Sequence, residues 1–130
     1  MEKIRSFEDL ACWKKAREIR LFVNEEVIKK LPKNEFDMAD NMKRAARSCT
    51  RNIAEGYGRF YFQENIQFCR ISRGSMFELL DDLLTCTDEK YIDAETLKRG
   101  RLLIEEGVRI LNGYIKYLST AKQNSTTNNH

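Results

Sequence analysis

Pro32 is the only proline in a chain of 130 residues, and long runs on both sides of it place apolar side chains at three- and four-residue steps. Proline ends a helix because it lacks the backbone N–H and crowds the preceding residue. With no second proline, nothing of that kind interrupts the chain after position 32. The spacing of Met38, Met42, Ala45, Ala46, Cys49 and Ile53 predicts a helix from Asn34–Phe36 to Gly56. A further helix is predicted over 61–87, with no Ser, Thr, Asp or Asn at its start to cap it. Asp93 then reads as the N-cap of a last helix running to about Ala121 along Leu97, Ile104, Val108, Leu111, Ile115 and Leu118. Upstream of Pro32, Ser6 and Asp9 form a capping-box pattern, and Cys12, Ala16, Ile19, Val23 and Val27 predict a single helix from Phe7 to Leu31.

Four long helices joined by short connections predict an all-α, antiparallel up-down four-helix bundle. One domain over 1–121 accounts for the chain, and the polar stretch 122–130 is expected to be a disordered tail. Gly56 and Gly58 predict a glycine-capped helix end with left-handed backbone. Gly74, Gly100 and Gly107 each cost about 1 kcal/mol relative to alanine inside a helix, so close approach between neighbouring elements is expected at all three.

Much chemistry is excluded by what the chain lacks. The only histidine is His130, which leaves no Ser–His or Cys–His nucleophile pair, no His-ligated zinc and no Glu-x-x-His di-iron site. The cysteines Cys12, Cys49, Cys69 and Cys86 lie 37, 20 and 17 residues apart. No Cys-x-x-Cys pair exists, so they are expected as free, buried thiols. Glu55 has no partner that would make it a general base. The chain is expected to be a cytoplasmic non-enzyme with no metal, no cofactor, no small-molecule substrate and no membrane span.

The last two helices carry a second apolar row beside the first: Phe68 and Leu79 on one, Leu103, Ile110, Tyr114 and Tyr117 on the other. Apolar arcs this wide predict burial either deeper within the chain or against further copies of it, and a homo-oligomer is the expectation.

Charge is segregated. Residues 43–73 hold seven basic and two acidic side chains, net +5, whereas the whole chain is +3, leaving the remainder at net −2. Arg44, Arg47 and Arg51 fall within about 60° of each other on a helical projection, opposite the apolar face. With Lys43 and Arg70, they form a candidate surface for RNA or DNA backbone, because a guanidinium matches phosphate bidentately and without regard to sequence. Two alternatives remain: neutralisation of the stripe by Glu78, Asp81 and Asp82, or a basic face that meets an acidic protein partner. Arg73 falls within an apolar row, so an ion pair is expected, with Glu55 as the candidate partner.

The segment Asn52-Ile53-Ala54-Glu55-Gly56-Tyr57-Gly58-Arg59 is distinctive. With Arg73-Gly74-Ser75 downstream and Phe7-Glu8-Asp9-Leu10 and Trp13 upstream, it resembles the four helix bundle protein family, also known as 23S rRNA intervening-sequence or S23-type ribosomal proteins. The resemblance spans about residues 6–119 and implies a bacterial four-helix protein. It also implies kinship with the accessory variability determinant of diversity-generating retroelements, a basic homopentameric barrel that binds nucleic acid and a reverse transcriptase. By position, Asn52, Glu55, Gly56, Gly58 and Arg59 match the signature at the second interhelical turn, where the resemblance implies a structural role. Phe60-Tyr61-Phe62 departs from the more polar helix start of that pattern and is expected to add an apolar contact between subunits.

Overall fold

In a computed structural model, which describes residues 3–128 and side chains as far as Ser125, every regular element is helical. Met1, Glu2, Asn129 and His130 lie outside the described residues. The main helices are α1 (Ala11–Phe22), α2 (Phe36–Tyr57), α3 (Phe62–Asp88) and α4 (Ala94–Asn128).

Cross-helix contacts fix their directions. Met38 meets Cys86, the Cys49 carbonyl meets Ser72 and Gly56 meets Asn65, so residue numbers rise on α2 as they fall on α3. The same opposition relates α3 to α4 (Arg73 with Asn112, Leu83 with Gly100) and α1 to α4 (Phe22 with Gly100, Ile19 with Gly107). Each helix therefore lies antiparallel to its neighbours around the bundle, and the α2–α3 seam is the most extensive. The core is a column of apolar residues from all four helices, including Ile19, Met42, Ile53, Met76, Leu79, Leu83, Ile104 and Leu111.

The first helix departs from expectation. Ser6 and Asp9 do form the capping box, with the Ser6 side chain accepting from Glu8 N–H at 3.1 Å and Asp9 Oδ2 accepting from the Arg5 and Ser6 amides at 2.9 and 3.2 Å. They cap a 3₁₀ turn of three residues rather than a long helix. Leu10 then adopts extended backbone (φ −70°, ψ 130°) and is buried, so α1 begins only at Ala11. After Phe22 the backbone widens into a π-helical segment, Val23–Val27, and closes with a 3₁₀ turn, Ile28–Lys30, before Pro32. The wider segment keeps both Val23 and Val27 fully buried.

The later boundaries lie close to expectation. Tyr61 provides no side-chain cap to α3, and Asp93 Oδ1 caps α4 by accepting from Thr96 N–H at 2.8 Å. The end of α4 differs: the helix continues to Asn128 through residues expected to be a loose tail. No glycine or proline follows Gly113 to stop it, and Lys122 Nζ bonds Gln63 Oε1 at 2.7 Å.

The glycines sort by what surrounds them. No glycine among the described residues has positive φ; Gly58 is right-handed at −76°, so α2 does not end in the expected left-handed cap. The left-handed residue is Lys90 (φ 64°), in the turn before α4. At Gly56 a Cβ would lie 2.6 Å from Asn65 Oδ1 and 3.0 Å from both the Asn65 carbonyl oxygen and Phe68 Cβ, so α2 and α3 approach there too closely for a side chain. Gly100 and Gly107 are tight against Leu83 and Phe22, and against Ile19. Gly74, contrary to expectation, has nothing within 4 Å of a built Cβ and is exposed. Opposite outcomes are therefore expected in thermal melts. Gly74→Ala should stabilise by about 1 kcal/mol through helix propensity and lost unfolded-state freedom. Gly56→Ala should destabilise by about 2 kcal/mol, because backbone must move to admit the methyl.

Candidate nucleic-acid interface

On α2, side chains at 42, 45, 46, 49, 53 and 56 turn inward, which leaves Lys43, Arg44, Arg47 and Arg51 on the outside. All four are exposed. Arg44 Nη2 donates to Asn41 Oδ1 at 2.6 Å on its own helix. Among the described residues, no carboxylate lies within ion-pair distance of any of these four cations.

The proposed neutralising acids are instead set against one another. Asp82 is half-buried, and its carboxyl is pushed up to about 6, first by burial and then by Glu78 and Asp81 on the same helix. A neighbouring arginine would push it the other way. The raised folded value means that the folded chain holds this proton more tightly than the unfolded chain, so its ionisation opposes folding. Stability from this group is greatest below about pH 4 and is lost as pH rises through 6. Asp82→Asn should therefore stabilise at pH 7.5, by about 1 kcal/mol after allowance for solvent screening. It should also flatten the melting temperature's dependence on pH between 4 and 6.

Two further cations join the α2 face, and neither was picked out from the sequence. Arg20 of α1 reaches across the α1–α2 seam, its Nη1 donating to Thr50 Oγ1 at 2.8 Å, while Thr50 donates to the Arg47 carbonyl at 3.2 Å. That bond seats the Arg20 guanidinium on Thr50, one turn along α2 from Arg47. Arg17, one turn earlier on α1, is exposed. The basic surface thus draws on two helices, Lys43, Arg44, Arg47 and Arg51 of α2 with Arg20 of α1, and Arg17 stands about 60° around α1 from Arg20. The signal was present in the sequence as Arg17 and Arg20 at i, i+3, but only the packing of α1 on α2 brings them to this face.

Arg70 does not extend this surface. It is exposed, with Gln67 as its near partner at 3.5 Å, but it stands about 140° around α3 from Ser75, which bonds Ser48 of α2 at 2.7 Å. Arg73 also differs from expectation. Its Nη1 donates to Asn112 Oδ1 of α4 at 2.7 Å, a neutral partner, and Glu55 is not involved. Glu55 pairs with Arg59 at 2.7 Å, which in turn lies 3.5 Å from Glu64 and 4.9 Å from the Phe68 ring. These contacts and the close approach of α3 at Gly56 pin the α2–α3 turn, whereas Asn52 donates to Ser48 one turn back on α2 itself at 2.8–2.9 Å. Ser75 serves the same seam, whereas Gly74 faces solvent.

The second apolar rows are used largely within the chain. Leu79 is fully enclosed, because the row it belongs to faces α2, and it has no surface to give to another copy. Leu103, Ile110 and Tyr114 are half-buried against the chain's own core, and Phe68 lies half-buried under Arg59. Tyr117 stays exposed at 64%. Ile71, Phe77 and Leu102 are also left outermost on α3 and α4. A largely apolar groove between these helices is lined by Phe77, Leu80, Ile104 and Val108, with Glu105 also on its wall.

The thiols are enclosed as expected. Burial pushes Cys12, Cys49 and Cys69 up to about 12 and Cys86 to about 11, so all four remain protonated and unreactive near neutrality. Among the described residues no group of His, Cys, Asp or Glu could hold a metal ion, and no helix is long and apolar enough to cross a membrane.

A family model described as 23S rRNA-intervening sequence protein matches residues 8–113. The match takes in α1, α2, α3 and most of α4, and so the whole basic surface. A comparison with curated proteins returns no match.

Proposed function

Given that the chain belongs to the 23S rRNA-intervening sequence protein family, we propose that it is a non-enzymatic RNA-binding protein of the cytoplasm that holds RNA backbone on the α1–α2 surface. The observation that carries this reading is the set of exposed α2 cations with no carboxylate in reach among the described residues. Cations not neutralised by a carboxylate gain most from phosphate, through Coulomb attraction and release of condensed counterions. The family name favours RNA over DNA as the natural ligand, and a backbone contact of this kind distinguishes the two poorly. The test is a salt titration of binding to a structureless RNA. The logarithm of affinity should fall linearly with the logarithm of salt, with a slope of about −3 to −3.5 for four or five phosphate contacts to a single strand. Absence of binding at low salt would sink the reading.

We extend the proposal to a homo-oligomer, five-fold by the resemblance to the pentameric barrel, which multiplies the basic field around one axis. Support comes from Phe77, Leu102 and the α3–α4 groove, an apolar exterior on the side away from the cations. Light scattering should report five times the chain mass of 15.3 kDa; a monomer would remove this part and leave the RNA reading standing.

A further inference from the structure

A cleft of about 460 Å³ opens at the end of the bundle where α2 turns into α3, between the residue 57–62 segment, the C-terminal half of α4 and Ile4. Its walls are aromatic. Phe60, Tyr61 and Tyr117 are 90%, 64% and 64% exposed, an unusual amount of ring surface to leave in water. Tyr117 stacks on Tyr114 with centroids 6.2 Å apart and planes 15° from parallel. Its lining also includes a buried polar group. Asn65 is 7% exposed and donates from Nδ2 to Tyr114 Oη at 3.2 Å. That bond leaves the Tyr114 hydroxyl proton and the second Asn65 N–H available to an acceptor. Burial pushes Tyr114 up to about 12, so its proton is retained.

An aliphatic side chain of another copy would fit the rings but waste this polar lining. A nucleobase uses both, since every base has a π-face and an edge with acceptors. The charge around the cleft agrees. Lys3 and Arg5 are exposed on either side of Ile4. Tyr57, part of the wall, lies on α2 about 9 Å along the axis from Arg51, at the end of the cationic surface.

We infer that this aromatic cleft takes an unpaired base of a single RNA strand whose backbone lies on the α1–α2 cations. The inference rests on the RNA-binding reading above and adds to it a preference for single strands over duplex, in which no base is free to leave its stack.

The experiment compares the full chain with a Tyr61→Ala/Tyr117→Ala variant, using a short structureless RNA that carries one 2-aminopurine and the same RNA paired into a duplex. Both tyrosines are mostly exposed, and a melt checks that the variant is folded. The expected result is quenching of 2-aminopurine on binding the single strand, lost in the variant together with about a tenfold loss of single-strand affinity. Duplex affinity should stay within twofold. If the variant binds the single strand as tightly as the parent with the same quenching, the cleft is not a base site, while salt-dependent binding would still uphold the α1–α2 surface. If neither RNA binds at low salt, both readings fall. If the substitutions change the particle mass by light scattering and leave RNA affinity alone, the cleft holds another copy of the chain and the inference is overturned.

Discussion

The combined substitution of Arg44→Glu, Arg47→Glu and Arg51→Glu is expected to abolish measurable RNA binding near physiological salt while leaving the chain folded. Each arginine removed deletes one phosphate contact, and each glutamate added repels the strand that the remaining cations attract. Nonspecific affinities at physiological salt are weak to begin with, with Kd on the order of 10⁻⁴–10⁻⁶ M, so a loss of about a hundredfold or more puts binding out of range. At low salt, where residual binding to Arg17, Arg20 and Lys43 can be followed, the slope against salt should fall by about 2. The fold should tolerate the change because all three side chains are exposed and none holds an ion pair among the described residues. New like-charge pairs at Asp40–position 44 and position 51–Glu55 cost about 0.2–0.5 kcal/mol each, and the 47–51 pair is like-charged before and after the change. A filter-binding titration of the folded variant with unchanged affinity at low salt would refute the α1–α2 interface outright.

Leu79→Ala is expected to have the largest effect on stability. Leu79 is 0% exposed on the α2-facing side of α3, among the largest enclosed side chains in the core. Truncation loses the transfer free energy of the deleted atoms and leaves a cavity that a packed bundle closes only in part, for a total of about 3 kcal/mol. For a domain of this size that is a substantial part of a net stability of about 5–15 kcal/mol. Chemical denaturation should show a lower midpoint with an unchanged slope. The same substitution separates two roles for the residue. If Leu79 met another copy instead of its own core, the variant would lose mass in light scattering while keeping its monomer stability.

The helices, their order and most boundaries after Pro32 were legible because a 3.6-residue period in apolar side chains has few other physical explanations. What the sequence could not disclose was which of two adjacent apolar rows each neighbour would take. Leu79 reads as a candidate for an outer surface only until α2 is laid against it; Leu103 and Ile110 likewise pack on the chain's own core. The same limit hid the partner of Arg73. Its place in an apolar row called for a charge, yet the neighbour across the seam is the amide of Asn112, a pairing that depends on the register of α3 against α4. Local backbone was harder still. Ser6 and Asp9 announce a cap, but nothing in their pattern says that Leu10 will turn inward in extended conformation and delay α1 to Ala11. At Lys90 the left-handed position went to a lysine, so a search for glycine could not find it. The α2 stripe was visible because its members share one helix. The α1 contribution was not, since Arg20 joins it only through Thr50.

The hydroxyl seam between α2 and α3 has a mechanical consequence. Ser72 Oγ donates to the Cys49 carbonyl and Ser75 Oγ meets Ser48 Oγ, both at 2.7 Å, while Gly56 admits Asn65 too closely for any side chain. Sliding one helix past the other by a turn, about 5.4 Å, would break both bonds and drive α3 into the Gly56 notch. The hairpin is therefore a ruler. Its graduations, the cations at one place and the ring-lined end at another, are held at a spacing that binding cannot stretch. Whatever strand engages both must bend to fit, and the entropy lost on ordering falls on the ligand rather than on the protein.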